Sequence, residues 1–212
     1  MAGSMSDPSC RRPDLAQVYP PAEDTFLLLE AAKEEAGPDD LVLEMGCGRA
    51  IISEELAGRV RRIVATDLNP EAVLCARNKG LGTVRADLFR GLKSRFDLIL
   101  FNAPYLPTAP EERVEGWINL ALDGGISGRE TVERFLDGLA DHLTEQGRAL
   151  LLISSLTGAE QVASAAAERG LKAKAIREQR VFFERLLVLR ITSAGKADED
   201  LTGLTGGSSG QI

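Results

Sequence analysis

The stretch Phe96-Asp97-Leu98-Ile99-Leu100-Phe101-Asn102-Ala103-Pro104-Tyr105 decides how the rest of the chain is read. Residues 96–101 are an apolar run of strand length, which predicts a buried strand. Asn102 stands at its end. Pro104 fixes its own φ and biases Ala103 toward an extended conformation, so the backbone is stiff where it leaves the sheet. A stiff exit holds the Asn102 amide and the neighbouring carbonyls in fixed directions, with the ring of Tyr105 beside them. That combination suits a flat, hydrogen-bonding group such as an amide or a nucleobase edge. The alternative is an ordinary proline turn after a strand, and a motif this short leaves both open.

Working outward, further strands are expected at 41–44, 61–66, 83–85 and 148–153, separated by helices from about Asp24 to Ala36, from Ile51 to Ala57, from Pro70 to about Lys79, and at 128–143 and 158–169. Glu23 and Asp24 in the first turn of the first helix complement its dipole, and Gly37-Pro38 ends it. Residues 106–127 are expected to be a long irregular loop, the kind that often carries function. Trp117 reads as core of that loop, and Glu111, Glu112 and Glu115 as an acidic face for a basic partner or simply a solvated loop. Near the end, 171–176 and 181–191 are both strand-like with only a few residues between them. A parallel crossover needs about a dozen residues or more, so these two form an antiparallel pair. The fold expected is α/β, a doubly wound, mostly parallel sheet of seven strands with the last antiparallel. Residues 1–14 are expected to be a disordered tail, 15–192 the domain, and 193–212 a flexible tail rich in Gly, Ser and Thr.

Composition narrows the function classes. A chain of 212 residues, 44% apolar and 27% charged, is that of one ordinary globular domain. A net charge of −7 argues against broad attachment to nucleic acid, which needs Lys and Arg to displace counterions. No apolar run is long enough to span a membrane, and residues 1–13 lack the apolar core of a secretory signal. Cys10, Cys47 and Cys75 are odd in number and unpaired in spacing, which fits a reduced, cytoplasmic setting. His142 is the sole histidine, so nucleophile–histidine catalysis and Cys/His metal clusters are disfavoured.

In an open α/β sheet, ligands sit beyond the carboxyl ends of the strands. Four groups are expected there, one from each of the first four strands. The first is Glu44 with the Gly46-Cys47-Gly48 turn, where backbone can approach a ligand closely and a helix start offers free N–H groups. The second is Asp67 with Leu68, about twenty residues beyond the glycine turn, a position suited to ribose hydroxyls. Asp87 with Leu88 is the third, placed to take an exocyclic amine and pack on a base, and Asn102 is the fourth. Each has a plain alternative: a tight turn for the glycines, a helix cap for Asp67. All four in order are harder to explain that way. The dinucleotide fingerprint wants a third glycine where this chain has Ile51, which disfavours nicotinamide cofactors. Glu44 would repel a pyrophosphate and suits a cofactor with positive charge. S-adenosylmethionine carries an ammonium, a sulfonium, a ribose and an adenine, and the reversed last strand fits the class I methyltransferase (Rossmann-like) version of the sheet.

The segments VYPPAEDTFLLLEA, LEMGCG, ATDLNPEA, ADLFRGL, FNAPYLP and LDGGISGRE together resemble the HemK-type protein glutamine N-methyltransferases, in particular the short archaeal–eukaryal branch that modifies class I translation release factors. The resemblance runs from Tyr19 to Ile191. It implies that Thr25, Glu44, Gly46, Asp67, Asp87 and Leu88 contact S-adenosylmethionine, with Cys47, Gly48 and Leu68 beside them. It implies that Asn102 meets both cofactor and substrate glutamine, within a catalytic segment Asn102, Ala103, Pro104 and Tyr105. It further implies a small zinc-binding activator subunit paired along the edge of the third strand, at Thr83–Arg85. The family motif is Asn-Pro-Pro-Tyr. Here Ala103 stands at its second position, keeping the carbonyl that would hold a substrate amide but losing one proline's rigidity. The expected mechanism is positional: Asn102 and the Ala103 carbonyl accept the two N–H groups of a glutamine amide, and Tyr105 packs on the side chain. The rival readings are an adenine-N6 nucleic-acid methyltransferase, a protein lysine methyltransferase, and a non-catalytic scaffold that binds the cofactor.

Overall fold

Phe96–Asn102 (β4) is buried along nearly its whole length because it lies at the centre of the sheet. In the computed structural model, which describes residues 11–113 and 115–195, β4 is flanked by Leu41–Met45 (β1) and Leu143–Ser154 (β5), both parallel to it. Arg62–Asp67 (β2), Gly82–Arg85 (β3), Leu171–Arg180 (β6) and Arg185–Ser193 (β7) complete a seven-stranded sheet in the order β3-β2-β1-β4-β5-β7-β6. The strand order reverses between β1 and β4, where this fold class opens its crevice. β7 is antiparallel to both β5 and β6 and lies between them, so the last strand runs backwards as expected.

Alternate side chains along each central strand serve different layers. Leu98 and Leu100 of β4 pack with Glu23–Glu35 (α1) and Ile51–Leu56 (α2) on one face. Ile99 and Phe101 pack with Glu130–His142 (α5) and Ala159–Glu168 (α6) on the other. Pro70–Asn78 (α3) covers β2 and β3, with Pro70 at its first position and Asn69 as its cap. At the amino ends of the strands, Arg148 clamps the sheet to α1. Its guanidinium donates to Asp40 Oδ2 at 2.8 Å, to the Asp97 carbonyl at 2.9 Å and to Glu35 Oε2 at 3.2 Å. The opposite ends are left for the site.

Several expected boundaries shift for identifiable reasons. α5 starts at Glu130 rather than 128 because Gly128 sits at φ +68, where an added Cβ would lie 2.8 Å from the Tyr105 carbonyl oxygen. β5 starts at Leu143 rather than 148, with a register shift against Phe96–Leu98. Gly147 lies so close there that a Cβ would meet the Phe96 carbonyl oxygen at 2.8 Å. The segment 106–127 is more ordered than a loop. It holds a short helix Trp117–Leu120 (α4), and its ends are tied by Leu106 N–H to the Leu122 carbonyl at 3.1 Å and Gly124 N–H to the Leu106 carbonyl at 2.9 Å. Trp117 is half-buried rather than core, with the Arg85 guanidinium 6.0 Å from its ring centre.

The expected tail 1–14 and domain 15–192 meet differently from the expectation. Residues 1–10 lie outside the described residues, but Arg11 pairs with Glu71 on α3 and the Asp14 N–H donates to the same carboxylate at 2.9 Å. Val18 then packs against Ala72 and Cys75. Residues 11–14 are therefore joined to the domain rather than to a tail. At the other end β7 takes in Ser193, and residues 196–212 of the expected flexible tail lie outside the described residues.

Leu100 is fully buried at the sheet centre. Leu100→Ala should lower the unfolding free energy by about 2–5 kcal/mol, read as a shifted urea midpoint at unchanged slope. A loss under about 1 kcal/mol would contradict this packing.

Candidate active site

The carboxyl ends of β1, β2, β3 and β4 open into one cleft, walled by the chain before and within the start of α1 and by the segment after β4. Thr25, Glu44, Gly46, Cys47, Gly48, Asp67, Leu68, Asp87, Leu88, Asn102, Ala103, Pro104 and Tyr105 all line it, so every residue expected at the site is brought together there.

The glycine turn after β1 needs its glycines for its own shape. Gly46 and Gly48 sit at φ +64 and +51, and the turn is held by Cys47 N–H to the Thr66 carbonyl at 2.9 Å. Glu44 does more local work than expected. It is buried, and its Oε2 accepts from the Ser53 N–H at 2.9 Å and from the Ser53 hydroxyl. Ser53 is in the first turn of α2, so Glu44 caps that helix from the neighbouring strand. Burial pushes the Glu44 carboxyl up to about 7, against the opposing pull of the Ser53 bonds.

Asp67 does not cap α3; Asn69 does, its Oδ1 accepting from Glu71 N–H at 2.9 Å. Asp67 instead accepts from Gly48 N–H at 3.0 Å and Asn69 N–H at 2.8 Å, which joins the ends of β1 and β2. Burial raises its carboxyl above the usual range despite those bonds. Asp87 pairs with Arg134 of α5 at 2.7 Å. Leu88 takes φ +50, a backbone region that costs a leucine about 1–2 kcal/mol and here shapes the cleft wall.

Asn102 has its two amide ends in different situations. Its Nδ2 donates to Asp24 Oδ2 at 3.1 Å, while its Oδ1 is buried and has no partner among the described residues. A carboxylate can only accept, so the bond to Asp24 fixes which way the amide faces. Asp24 is itself buried and also accepts from the Tyr19 hydroxyl at 3.2 Å and the Thr25 N–H at 2.6 Å. Burial, then the nearby Asp24 charge, raises the Tyr19 hydroxyl above its ordinary range. Burial, then Asp24 and Glu184, does the same to Tyr105.

Sequence reasoning missed Asp24, Tyr19, Trp117 and Arg134 as cleft residues. Asp24 reads as a first-turn helix acid, and it is that too. Its partner is 78 residues away in sequence, so no local pattern marks the contact. Among the described residues no His/Cys/Asp/Glu group is arranged to hold a metal, and no helix is long and apolar enough to cross a membrane.

Fold and cleft together define a class I methyltransferase, whose methyl donor is S-adenosylmethionine. The cleft fits that donor. The glycine turn leaves backbone at its floor, and the Asp67 and Asp87 carboxylates on its walls are acceptors of the kind that hydroxyl and amine donors need. Residues 43–110 match the family model described as a methyltransferase domain. The chain is 38% identical over 180 residues to a Methanocaldococcus jannaschii protein assigned as an N5-glutamine methyltransferase, covering 82% of this chain and 90% of that one. It is 33% identical over 195 residues to the human methyltransferase HEMK2, covering 84% and 91%. Its fold matches the E. cuniculi Mtq2–Trm112 complex, described as responsible for methylating the translation termination factor eRF1. That match has a TM-score of 0.71 and 28% identity, and covers 84% of this chain and 99% of that one. The chain belongs to this HEMK2-type family of protein glutamine methyltransferases.

Glu44 binds its proton more tightly folded than unfolded. Its contribution to stability is therefore complete below about pH 4.5 and is lost as pH rises toward about 7. Across that window the wild type should lose on the order of 3 kcal/mol relative to Glu44→Gln, measured as urea midpoints of both proteins against pH. Parallel curves would contradict a buried, proton-binding Glu44.

Proposed function

We propose that this chain transfers a methyl group from S-adenosylmethionine to the side-chain amide nitrogen of a glutamine in a class I peptide chain release factor. The observation that carries the reading is Asn102: at the tip of β4 on the cleft wall, its Nδ2 held by Asp24 and its Oδ1 buried without a partner among the described residues. A primary carboxamide offers the N–H that this oxygen lacks. Relatives named for glutamine and for eRF1 methylation agree with it.

Glu44, Gly46, Cys47, Gly48, Thr25, Asp67, Leu68, Asp87 and Leu88 would hold the cofactor. Asp67 would take the ribose hydroxyls and Asp87 the adenine amine, for which Asp87 would exchange its Arg134 partner. Bound there, S-adenosylmethionine supplies an electrophilic methyl group on a sulfonium that leaves as a neutral thioether. The protein's own part is alignment. Asn102 Oδ1 and the Ala103 carbonyl accept the two amide N–H groups, which aims the nitrogen into the cleft, and Tyr105 packs on the substrate's methylene chain. The nitrogen so aimed would take the methyl group as the neutral thioether leaves, and the N–H proton lost afterwards would pass to solvent. Orientation of this kind is worth up to about 7–11 kcal/mol, so a chain with no base beside the amide can still catalyse the step. Ala103 in place of the family proline costs little alignment here, because its side chain is buried in the core cluster that also holds Phe101 and Phe135.

For the partner, a small activator subunit of the zinc-binding kind would pair with β3. β3 bonds only to β2 among the described strands, and Val84 on it is 40% exposed. The setting proposed is the cytoplasm, where release factors work.

The test is mass spectrometry of a release factor after incubation with the enzyme, its activator and cofactor. One methyl should appear on a glutamine amide, with none transferred to lysine or to duplex DNA. Asn102→Ala should lower kcat about 10²–10³-fold at unchanged cofactor affinity, and Asp24→Ala about 10–100-fold. Asp24→Asn, which can still present an oxygen to Asn102, should recover part of the loss. Full activity of Asp24→Ala would remove Asp24 from the positioning role.

A further inference from the structure

The hairpin between β6 and β7 breaks the usual turn rules. Its tip is Val181-Phe182-Phe183-Glu184, closed by the Val181 N–H donating to the Glu184 carbonyl at 3.0 Å. Two-residue hairpin turns favour Gly, Asn or Asp at their centre. Here both central residues are phenylalanine, neither takes a positive φ, and they are 97% and 99% exposed, with ring centres 6.5 Å apart. Neither ring adds to the core. Such a local violation without a structural gain points to function.

Position says which function. β7 starts where β5 ends, with Leu186 opposite Ser154, so the tip projects at the carboxyl edge that carries the cleft. The tip is anchored rather than loose. Ser154 donates its hydroxyl to the Glu184 carboxylate, Ser155 N–H donates to the Arg185 carbonyl at 2.7 Å, and Arg185 N–H to Ser155 Oγ at 3.0 Å. Val181 packs on the same cluster as Tyr105, the residue at the substrate end of the motif. The carboxylates of Glu23, Asp24 and Glu184 act together on the Tyr105 hydroxyl, so the cleft side of the hairpin is acidic, while Arg180 and Arg185 stand opposite each other behind the rings, Arg185 paired with Glu178. An acidic mouth repels nucleic acid and attracts a basic polypeptide. A rigidly mounted aromatic pair beside it supplies apolar contact at little entropic cost.

We infer that Phe182 and Phe183 form a docking clamp for the polypeptide substrate, seated on an apolar side chain of the segment that flanks the target glutamine. The inference rests on the glutamine-methylating reading. It adds that recognition reaches beyond the motif to a second, aromatic contact outside the cleft.

The test compares the full chain, with its activator if required, and the variant F182S/F183S. Both exposed rings can be removed without touching the core. On intact release factor the variant should lose about 30-fold in kcat/KM through KM, at unchanged kcat and cofactor Kd. On a short glutamine peptide that ends before the hairpin, the two should be equal. Equal activity on intact factor would overturn the clamp, as would an equal loss on the short peptide, which would make the hairpin part of the active site. A dimer in the wild type that the variant abolishes would also overturn it, giving the rings to a second copy. Wild type inert toward release factor would remove the substrate reading first, and the clamp with it.

Discussion

The bond between Asp24 and Asn102 is the interaction on which the site depends. It joins the first helix to the tip of the central strand and turns an amide with two possible faces into one with a single orientation. Asp24 can only accept, and its other contacts come from the Tyr19 hydroxyl and from the amide and hydroxyl of Thr25. One Asn102 N–H is thereby engaged, and its oxygen is the end left without a partner among the described residues. A buried acceptor without a donor costs about 1–3 kcal/mol in a protein with nothing to bind. That cost is returned when an N–H arrives.

The sheet makes this possible by putting its polar work at one end. The amino ends of the strands are closed by the Arg148 clamp on Glu35, Asp40 and the Asp97 carbonyl. At the carboxyl ends, buried or half-buried carboxylates tie neighbouring elements to one another: buried Glu44 to α2, half-buried Asp67 to the glycine turn and the α3 cap, buried Asp24 to β4. The same groups are scaffold and site at once, so their burial raises Glu44 and Asp67 toward the protonated form while leaving them at the cleft wall.

Much of this was legible in the chain. Alternating apolar strands and helices fixed the layers, and the short link between 171–176 and 181–191 required an antiparallel pair. The order of Gly46–Gly48, Asp67, Asp87 and Asn102 placed one group at each strand end, and all of them line one cleft. What was not legible was long-range. Asp24 looked like a helix-dipole acid because its partner is 78 residues away. Glu44 looked like a group reserved for a charged ligand because Ser53 becomes its neighbour only when α2 folds back. Gly128 and Gly147 moved element boundaries because other backbone lies against them, which no local pattern encodes.

The most direct measurement is a crystal structure of the enzyme with S-adenosylhomocysteine and a glutamine peptide. It should show the peptide's amide nitrogen about 3 Å from Asn102 Oδ1, with Asn102 Nδ2 still on Asp24. An Asn102 released from Asp24, with its nitrogen turned to the peptide's carbonyl, would contradict the orientation from which the chemistry is derived.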